Sequence, residues 1–219
     1  MSIVLVGINY RTAPVDLREL LTLQGCALRM ALQELGQVTA APGELVVSEA
    51  VILSTCNRLE VYASVRHPGE TEGAIVRFLA HIQNIAPETL EPHVYQRSGE
   101  DAARHLMRVA CGLDSMVLGE TQVLGQVTQA FEEARAAGMT GPILSHLFTQ
   151  AIHTGKRARS ETAISQHTTS VSHAGVHLVM GQLRQQASRR ILIVGAGEMA
   201  VMAAEALRRY QGVETAFIN

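Results

Sequence analysis

The segment EAVILSTCNRLEVYAS, residues 49–64, contains two apolar runs separated by a short polar stretch. Residues 49–54 are mostly apolar, and residues 59–64 alternate apolar and polar side chains, which predicts a β-strand in each run. Cys56 and Arg58 fall in the turn between the two predicted strands. The segment therefore predicts two consecutive strands whose connecting turn carries a thiol and a cation.

The residues on either side of this segment extend the two strands into a small domain. A β-branched run at residues 3–8 predicts a buried strand, residues 27–35 and 70–82 have helical spacing, and a short strand is predicted near residues 93–95. The resulting β-α-β-β-α-β order is typical of a ferredoxin-like split βαβ layer. We therefore expect an α+β fold with a small, mostly antiparallel sheet.

Added helices are predicted to complete this N-terminal domain. Apolar residues recur at helical spacing over residues 100–111, 122–137 and 142–164, and only Gly155 weakens the last of these helices. We place the first domain at residues 1–163.

The remaining residues, 164–219, predict the beginning of a Rossmann-type α/β domain. Residues 190–200, RILIVGAGEMA, indicate a strand, a glycine turn and a helix start, and residues 214–219 predict a second parallel strand. A pair of parallel strands exposes both faces and does not form a stable doubly wound sheet. We therefore expect the second domain to be truncated in these 219 residues.

The glycine turn has the Gly-x-Gly-x-x-Ala pattern that suits a dinucleotide. Gly195 allows a tight turn, Gly197 lets the backbone approach a pyrophosphate, and Ala200 keeps the helix close to the strand. The phosphates would lie at the helix N-terminus. The alternative is a turn with a structural role only. The predicted cofactor-binding residues are Gly195, Ala196, Gly197, Glu198, Met199 and Ala200.

Composition and charge argue against several classes of protein. The formal net charge of −2 and the isoelectric point near 6.5 argue against a general polyanion binder. The three cysteines form no CxxC pair and there is no secretory signal, which indicates a reducing cytoplasm rather than a disulfide or zinc framework. No apolar run approaches the roughly 18–20 residues that cross a bilayer. We expect a soluble cytoplasmic protein without a bound metal.

Two groups of polar residues are candidates for chemistry. Arg58 lies close to Cys56 in the sequence, and a nearby cation stabilises the reactive thiolate. A buried structural cysteine is the alternative. The second group flanks glycines at the junction of two predicted helices, where side chains can converge on a polar ligand, with surface capping as the alternative. This group consists of Asp114, Ser115, Glu120, Gln122 and Gln126.

Together with GINYRTAPV at residues 7–15, these segments resemble glutamyl-tRNA reductase along essentially the whole chain. The resemblance implies NADPH-dependent reduction of glutamyl-tRNA to glutamate-1-semialdehyde through a cysteine thioester, the first step of tetrapyrrole biosynthesis by the five-carbon pathway. It implies catalytic roles for Cys56 and His105, and a homodimer for the full-length protein. The substrate-binding residues that it implies are Thr55, Asn57, Arg58, Ser115, Glu120, Thr121, Gln122 and Gln126.

The chemistry of these residues fits such a reaction. A thiolate at Cys56 can displace the tRNA 3′-oxygen from the activated ester and leave a thioester, which is a good hydride acceptor. The guanidinium of Arg58 suits the side-chain carboxylate of a glutamyl group, and Asp114 or Glu120 could accept hydrogen bonds from its amino group. His105 could donate a proton to the leaving oxygen or only orient the site.

Other features leave alternatives open. Tyr10 stands where the family usually has histidine, so a proton-transfer role at this position is open. His173 and His177 lie four residues apart on a predicted helix and could ligate haem, with packing or surface roles as the alternative. The rest of the nucleotide domain and the family's helical dimerisation domain are missing from these residues, so we expect only thioester formation and hydrolysis. The rival hypothesis is a non-enzymatic truncated homologue that binds tRNA, haem or a regulatory protein.

Overall fold

An antiparallel sheet of four strands belongs to the first of the two units into which the chain divides, Met1–Ser165 and Gln166–Asn219. The computed structural model describes residues 1–41, 44–45, 47–165, 171–183 and 189–218. In chain order, the strands of the first unit are β1 (Ser2–Asn9), β2 (Thr39–Ala41), β3 (Glu44–Leu45), β4 (Val47–Ser54), β5 (Arg58–Val65) and β6 (Tyr95–Ser98). The four-stranded sheet has the order β4-β5-β1-β6, and β2 pairs separately with β3. The predicted antiparallel sheet is thereby confirmed.

Seven helices are described in the first unit, and the last of them packs closely against the sheet and its neighbours. They are α1 (Val15–Leu20), α2 (Gly25–Leu35), α3 (Pro68–Ile82), α4 (Pro87–Leu90), α5 (Gly99–Ala110), α6 (Gln122–Ala136) and α7 (Pro142–Glu161). A Cβ at Gly155 would lie 2.6 Å from the carbonyl oxygen of Ala110. The glycine that weakens the predicted helix therefore permits α7 to approach the end of α5. Glu49 on β4 accepts hydrogen bonds from the N–H groups of Ile143 (3.2 Å) and Leu144 (2.7 Å), which anchors the start of α7.

The strand β5 is buried along its whole length because it pairs with β4 on one side and with β1 on the other. Its alternation places Leu59 and Val61 on one face of the sheet and Tyr62 on the opposite face. The ring of Tyr62 packs edge-on against Phe148 of α7, with 5.4 Å between the ring centroids. The other buried residues on the Tyr62 face are polar: Arg58, Glu60 and Ser64.

Some boundaries differ from the predictions. The short strand predicted near residues 93–95 begins at Tyr95, because Glu91–His93 forms a 3-10 turn in which Pro92 restricts the backbone. The helix predicted over 142–164 ends at Glu161, where the next residue adopts an extended conformation. The sequence also predicts a helix over residues 168–186, and both of its ends lie outside the described residues.

The second unit contains a parallel pair of strands and two helices in its described part. They are α8 (Val171–Gln182), β7 (Arg189–Val194), α9 (Glu198–Leu207) and β8 (Val213–Ile218), and β7 pairs with β8. The buried apolar residues that join the helices are Val176, Met180, Ala206 and Leu207. Apolar side chains on the two strands are largely exposed, among them Val194 at 78% and Phe217 at 56%. Within the described ranges, no helix is long and apolar enough to span a membrane.

Candidate active site

The turn between β4 and β5 is closed by hydrogen bonds of Thr55. The N–H of Thr55 donates to the carbonyl oxygen of Arg58 (2.8 Å), and its Oγ1 accepts from the N–H groups of Asn57 (3.1 Å) and Arg58 (3.2 Å). Thr55 is buried, whereas Cys56 is exposed. Residues 55–57, which we call the Cys56 turn, therefore present a thiol to solvent at the end of the sheet.

The segment that follows β1 and the helix α1 hold the Cys56 turn. The N–H of Tyr10 donates to the carbonyl oxygen of Asn57 (2.9 Å). Arg18 on α1 donates through Nη1 to the carbonyl oxygen of Cys56 (2.7 Å) and to Oδ1 of Asn57 (3.1 Å). Its Nε donates to the carbonyl oxygen of Ala13 (3.2 Å). The position of the Cys56–Asn57 peptide is therefore fixed by residues distant in sequence.

The loop between α5 and α6 depends on two glycines. Gly112 and Gly119 have φ angles of +73° and +77°, in the left-handed region that favours glycine. The N–H of Gly119 donates to the carbonyl oxygen of Gly112 (2.8 Å), and a Cβ at Gly112 would lie 3.0 Å from Gly119. The loop therefore folds back on itself at a point where a larger residue would be strained and crowded.

Two contacts bring this loop to the segment after β1. Nη1 of Arg11 lies 2.8 Å from Oδ1 of Asp114, and the hydroxyl of Tyr10 donates to the carbonyl oxygen of Ser115 (3.2 Å). Since Tyr10 also binds the Cys56 turn, three parts of the sequence, near residues 10, 56 and 115, meet at one site.

A network of polar residues surrounds Glu60, which is fully buried on β5. Its carboxylate accepts hydrogen bonds from Arg58 Nη1 (2.5 Å), the Tyr62 hydroxyl (2.6 Å), His105 Nε2 (2.9 Å) and the Tyr95 hydroxyl. Burial alone would raise the pKa of Glu60, but the charge of Arg58 and the hydrogen bond from His105 hold it well below its usual range. An ionised carboxylate only accepts, so the His105 tautomer here carries its proton on Nε2. Burial and the charge of Glu60 raise the pKa of both tyrosines, which keeps them protonated.

The charges of this network are balanced. Arg58 Nη2 donates to the carbonyl oxygen of Asp114, and Oδ2 of Asp114 lies 3.4 Å from both Nη1 and Nη2. Asp114 also pairs with Arg11, so two guanidinium groups face two carboxylates. Burial would lower the pKa of Arg58, but the charge of Glu60 raises it above its ordinary value. We call the set of Arg58, Glu60, Tyr62, Tyr95, His105 and Asp114 the Glu60 network.

The pKa of the Cys56 thiol is raised above its ordinary value. Burial contributes most and the charge of Glu120 adds to it, whereas a backbone hydrogen bond and, to a smaller extent, the charge of Arg18 act in the opposite direction. The expectation that Arg58 is the cation that stabilises the thiolate is therefore corrected. The charge of Arg58 is compensated by two carboxylates, and the cation that acts on the thiol is Arg18.

Two of the predicted substrate-binding residues are buried close to the turn. Ser115 is buried, and its Oγ has no hydrogen-bond partner among the residues that the structure describes. A buried hydroxyl without a partner is costly, and a ligand could satisfy it. Glu120 is also buried and lies near enough to Cys56 to raise the pKa of the thiol. Burial raises the pKa of Glu120 itself, although the charge of Arg58 opposes the shift.

The remaining predicted substrate-binding residues lie at the start of α6. Thr121 is exposed, and its carbonyl oxygen accepts a hydrogen bond from Nη2 of Arg159 (2.6 Å) on α7. Gln122 and Gln126 are partly buried in the first turns of the helix. Their roles as substrate ligands stay predictions.

The predicted nucleotide turn lies in the second unit, between β7 and α9. Gly195 has a φ of +108°, a conformation that side chains rarely adopt. The N–H of Ala200 donates to the carbonyl oxygen of Gly197 (3.0 Å), and a Cβ at either glycine would meet no described atom within 4 Å. The backbone here is therefore open to a ligand. Ala196, Gly197 and Met199 are exposed, Gly195 and Ala200 are partly buried, and the side chain of Glu198 lies outside the described residues.

The haem hypothesis stays a prediction. His177 is exposed on α8, and the side chain of His173 lies outside the described residues. Among the residues that are described, no group of three or more His, Cys, Asp or Glu side chains could hold a metal ion.

Sequence reasoning missed four residues that organise the site. Glu60 and Tyr62 share a strand face with Arg58 at period two, and this spacing could have indicated a polar cluster. Alternating polar residues in a strand more often indicate a solvent-facing side, so the signal was ambiguous. Arg18 and Tyr95 reach their partners from distant parts of the chain, and local sequence gives no signal for such contacts.

Fold and site together define a mixed α/β protein in which an exposed thiol stands at the end of an antiparallel sheet, beside buried polar side chains. Residues 6–162 match the family model described as "Glutamyl-tRNAGlu reductase, N-terminal domain". The chain belongs to the glutamyl-tRNA reductase family.

Individual relatives agree with this family. The chain is 43% identical over 211 residues to the glutamyl-tRNA reductase of Syntrophotalea carbinolica, and this match covers 94% of the chain and 45% of that relative. It is 44% identical over 207 residues to the glutamyl-tRNA reductase of Geobacillus thermodenitrificans, and this match covers 94% of the chain and 44% of that relative. The solved structure of glutamyl-tRNA reductase from Methanopyrus kandleri is similar with a TM-score of 0.65 and 32% identity, covering 99% of this chain and 49% of that chain. The chain thus spans about half the length of the relatives it matches.

Proposed function

We propose that this chain carries the glutamyl-transfer site of an NADPH-dependent glutamyl-tRNA reductase, with Cys56 as the nucleophile. The observation that carries the proposal is the exposed thiol of Cys56 on a turn held by the Tyr10 and Arg18 hydrogen bonds, at the same site as the loop in which the Ser115 hydroxyl has no described partner. A fixed, accessible thiol at a site with an unsatisfied buried hydroxyl suits covalent attack on an activated ester.

In the proposed reaction, the thiolate of Cys56 attacks the carbonyl carbon of the glutamyl ester. The bond from that carbon to the tRNA 3′-oxygen breaks, a proton goes to the oxygen, and a thioester remains on the sulfur. A hydride would then add to the carbonyl carbon of the thioester, and breaking of the carbon–sulfur bond would give glutamate-1-semialdehyde and leave Cys56 as the thiolate. This reduction is the first step of tetrapyrrole synthesis.

His105 is better suited to orienting this site than to donating a proton directly. Its ring is buried, and its Nε2 proton is hydrogen-bonded to Glu60 at 2.9 Å. Through the same carboxylate it is coupled to Arg58, which directly follows the Cys56 turn. We propose that His105 acts by holding this arrangement.

Recognition of the substrate carboxylate by Arg58 would require a change of partner. Oδ2 of Asp114 lies 3.4 Å from the guanidinium, whereas Oε1 of Glu60 lies 2.5 Å from it and is fully buried. Asp114 is therefore the carboxylate that a substrate would displace. Released from Arg58, Asp114 could accept from the substrate ammonium, as could Glu120.

NADPH supplies the hydride when it is bound, and the residues at the predicted nucleotide turn fit its phosphates. The open space at Gly195 and Gly197 and the adjoining N-terminus of α9 support this assignment. For a polypeptide limited to these 219 residues, we propose thioester formation and slow hydrolysis without reduction.

We also propose finer assignments for the fold. The order β4-β5-β1-β6 with antiparallel neighbours supports a ferredoxin-like split βαβ layer, and the parallel pair β7-β8 with its glycine turn supports the beginning of a Rossmann-type domain. The proposed domains are 1–163 and 164–219. A homodimer of the full-length protein stays a prediction.

A covalent-adduct experiment tests the function. The full-length protein is mixed with glutamyl-tRNA without NADPH, quenched in acid and digested, and the glutamyl group is located by peptide mass spectrometry. We expect the adduct on Cys56 in the wild type and in Cys26→Ser, which removes another exposed thiol. Cys56→Ser should form no adduct and lose NADPH oxidation by more than about a thousand-fold.

An adduct on another cysteine of Cys56→Ser would reject Cys56 as the nucleophile. Tight tRNA binding by a folded wild type, with neither an adduct nor NADPH oxidation, would favour the non-enzymatic rival.

A further inference from the structure

Arg18 is a buried arginine whose described contacts are all with uncharged acceptors. Only 9% of the residue is exposed. Its donors reach the carbonyl oxygen of Cys56 (2.7 Å), Oδ1 of Asn57 (3.1 Å) and the carbonyl oxygen of Ala13 (3.2 Å). Among the residues that the structure describes, no carboxylate forms an ion pair with Arg18. Its positive charge is therefore not cancelled locally.

Arg58 differs from Arg18 in this respect. Its guanidinium contacts the carboxylates of Glu60 and Asp114, and both acids are buried with it. A dipolar, charge-balanced arrangement has a field that falls off quickly with distance, whereas a single charge acts over a longer range. Between Arg18 and Arg58, Arg18 is therefore the arginine whose charge can favour a negative charge on the sulfur of Cys56.

We propose that Arg18 is the positioning residue of the nucleophile: it fixes the Cys56–Asn57 peptide and supplies the positive charge that stabilises the Cys56 thiolate. The proposal rests on the proposed function only in taking Cys56 as the nucleophile. The charged groups that act on the thiol are Arg18 from α1 and Glu120 from the segment before α6, and they act in opposite directions.

The arginines of the site therefore have two different roles. Arg11 and Arg58 hold Asp114 in the loop between α5 and α6. Arg18 acts on the turn itself, through one hydrogen bond to the peptide of the nucleophile and one to the neighbouring side chain. A neutral side chain of similar reach could keep such a bond but would lose the charge.

The test measures the thiol directly, without tRNA. Full-length wild type, Arg18→Gln, Arg18→Lys and a control, Arg29→Gln, are alkylated with iodoacetamide over a range of about pH 7 to 11. Arg29 lies on α2 with an exposed side chain, 4.0 Å from Glu133. The rate at Cys56 is followed by peptide mass spectrometry, with the exposed Cys26 as an internal reference, and circular dichroism establishes that each variant is folded.

We expect the midpoint of Cys56 alkylation to rise by about half a pH unit in Arg18→Gln, which lowers the rate below the midpoint about three-fold. Arg18→Lys keeps the charge and should stay within about 0.3 unit of the wild type. Arg29→Gln should leave the midpoint unchanged, and the rate at Cys26 should be the same in all four proteins.

An unchanged midpoint in folded Arg18→Gln would overturn the proposal. If Arg18→Gln does not fold, Arg18→Lys decides: a midpoint close to the wild type supports the role of charge, and a rise of about half a unit or more rejects it. Failure of the glutamyl-adduct experiment would leave these alkylation results intact, so the two hypotheses fail separately.

Discussion

The Glu60 network and the Cys56 turn are adjacent in sequence but compensate their charges differently. In the network, Glu60 accepts four hydrogen bonds and its charge is matched by Arg58. In the turn, the thiol of Cys56 is exposed, and two charges shift its pKa in opposite directions: Glu120 raises it and Arg18 lowers it.

This difference separates stability from reactivity. A buried charge costs several kcal/mol unless it is paired or hydrogen-bonded. The Glu60 network meets this condition and fixes the end of β5 as a rigid support. The thiol of Cys56 reaches solvent, and the opposed charges of Glu120 and Arg18 adjust a pKa that burial raises.

The largest expected effect comes from breaking the network at its centre. Glu60→Gln removes the charge that compensates Arg58 and presents N–H donors to the Tyr62 and Tyr95 hydroxyls. We expect the free energy of unfolding to fall by about 3–5 kcal/mol, measured by urea denaturation at neutral pH. Glu100→Gln is the matched control, because the Glu100 side chain is exposed in its pair with Arg104, and it should change stability by less than about 0.5 kcal/mol.

The pH dependence of the same variant has a definite sign. The pKa of Glu60 is lowered on folding, so its stabilisation is fully present above the unfolded pKa of about 4.3 and is lost as pH falls through the folded pKa. The stability difference between wild type and Glu60→Gln should therefore narrow in acid. A difference that widens below about pH 4 would mean that Glu60 is not an anion in the folded protein.

A smaller effect is expected from removing one donor to the carboxylate. Tyr95→Phe deletes a hydroxyl that bonds to Glu60 and should cost about 1–2 kcal/mol in urea denaturation, because a charged acceptor loses a partner. Tyr10→Phe deletes a hydroxyl that donates to the neutral carbonyl of Ser115 and should cost less, about 0.5–1 kcal/mol. Equal losses of stability in the two variants would show that a hydrogen bond to Glu60 contributes no more than the hydrogen bond from Tyr10 to the Ser115 carbonyl.

The sequence was sufficient to predict the sheet and the location of the thiol. Alternating and β-branched runs at residues 3–8 and 49–64 identify these strands. Side chains on one face repeat every second residue in a strand but about every 3.6 residues in a helix, so the two patterns can be told apart. The turn at Cys56 followed from the same pattern. The close contact at Gly155 did not, since a glycine that weakens a helix and a glycine that permits a helix contact look alike in one sequence.

The electrostatics of the site were less predictable for a physical reason. Arg58 lies two residues after Cys56 in the chain, so proximity in sequence favoured it as the activating cation. Its charge is compensated by a neighbour on the same strand face and by Asp114, which is 56 residues away. Arg18 lies 38 residues from Cys56 and acts through the folded structure alone. Charge balance depends on long-range contacts that local patterns do not encode.

The smallest expected effect comes from changing a charge that acts on the Cys56 thiol. Glu120→Gln removes the negative charge that raises the pKa of the Cys56 thiol and keeps the shape of the side chain. Because Glu120 is ionised at the alkaline pH where the thiol titrates, we expect the midpoint of Cys56 alkylation to fall by about half a pH unit, a roughly three-fold faster reaction below the midpoint. Glu132→Gln, an exposed acid paired with Arg135 on α6, is the control and should leave the midpoint unchanged.

The double variant Arg18→Gln with Glu120→Gln tests whether the two charges act independently. The two shifts have opposite signs, so the midpoint should lie between those of the single variants, close to that of the wild type. A double variant that matches Arg18→Gln alone would show that Glu120 acts only while Arg18 is present. A midpoint that rises in Glu120→Gln would contradict the sign assigned to Glu120 and would leave burial as the cause of the raised pKa of the Cys56 thiol.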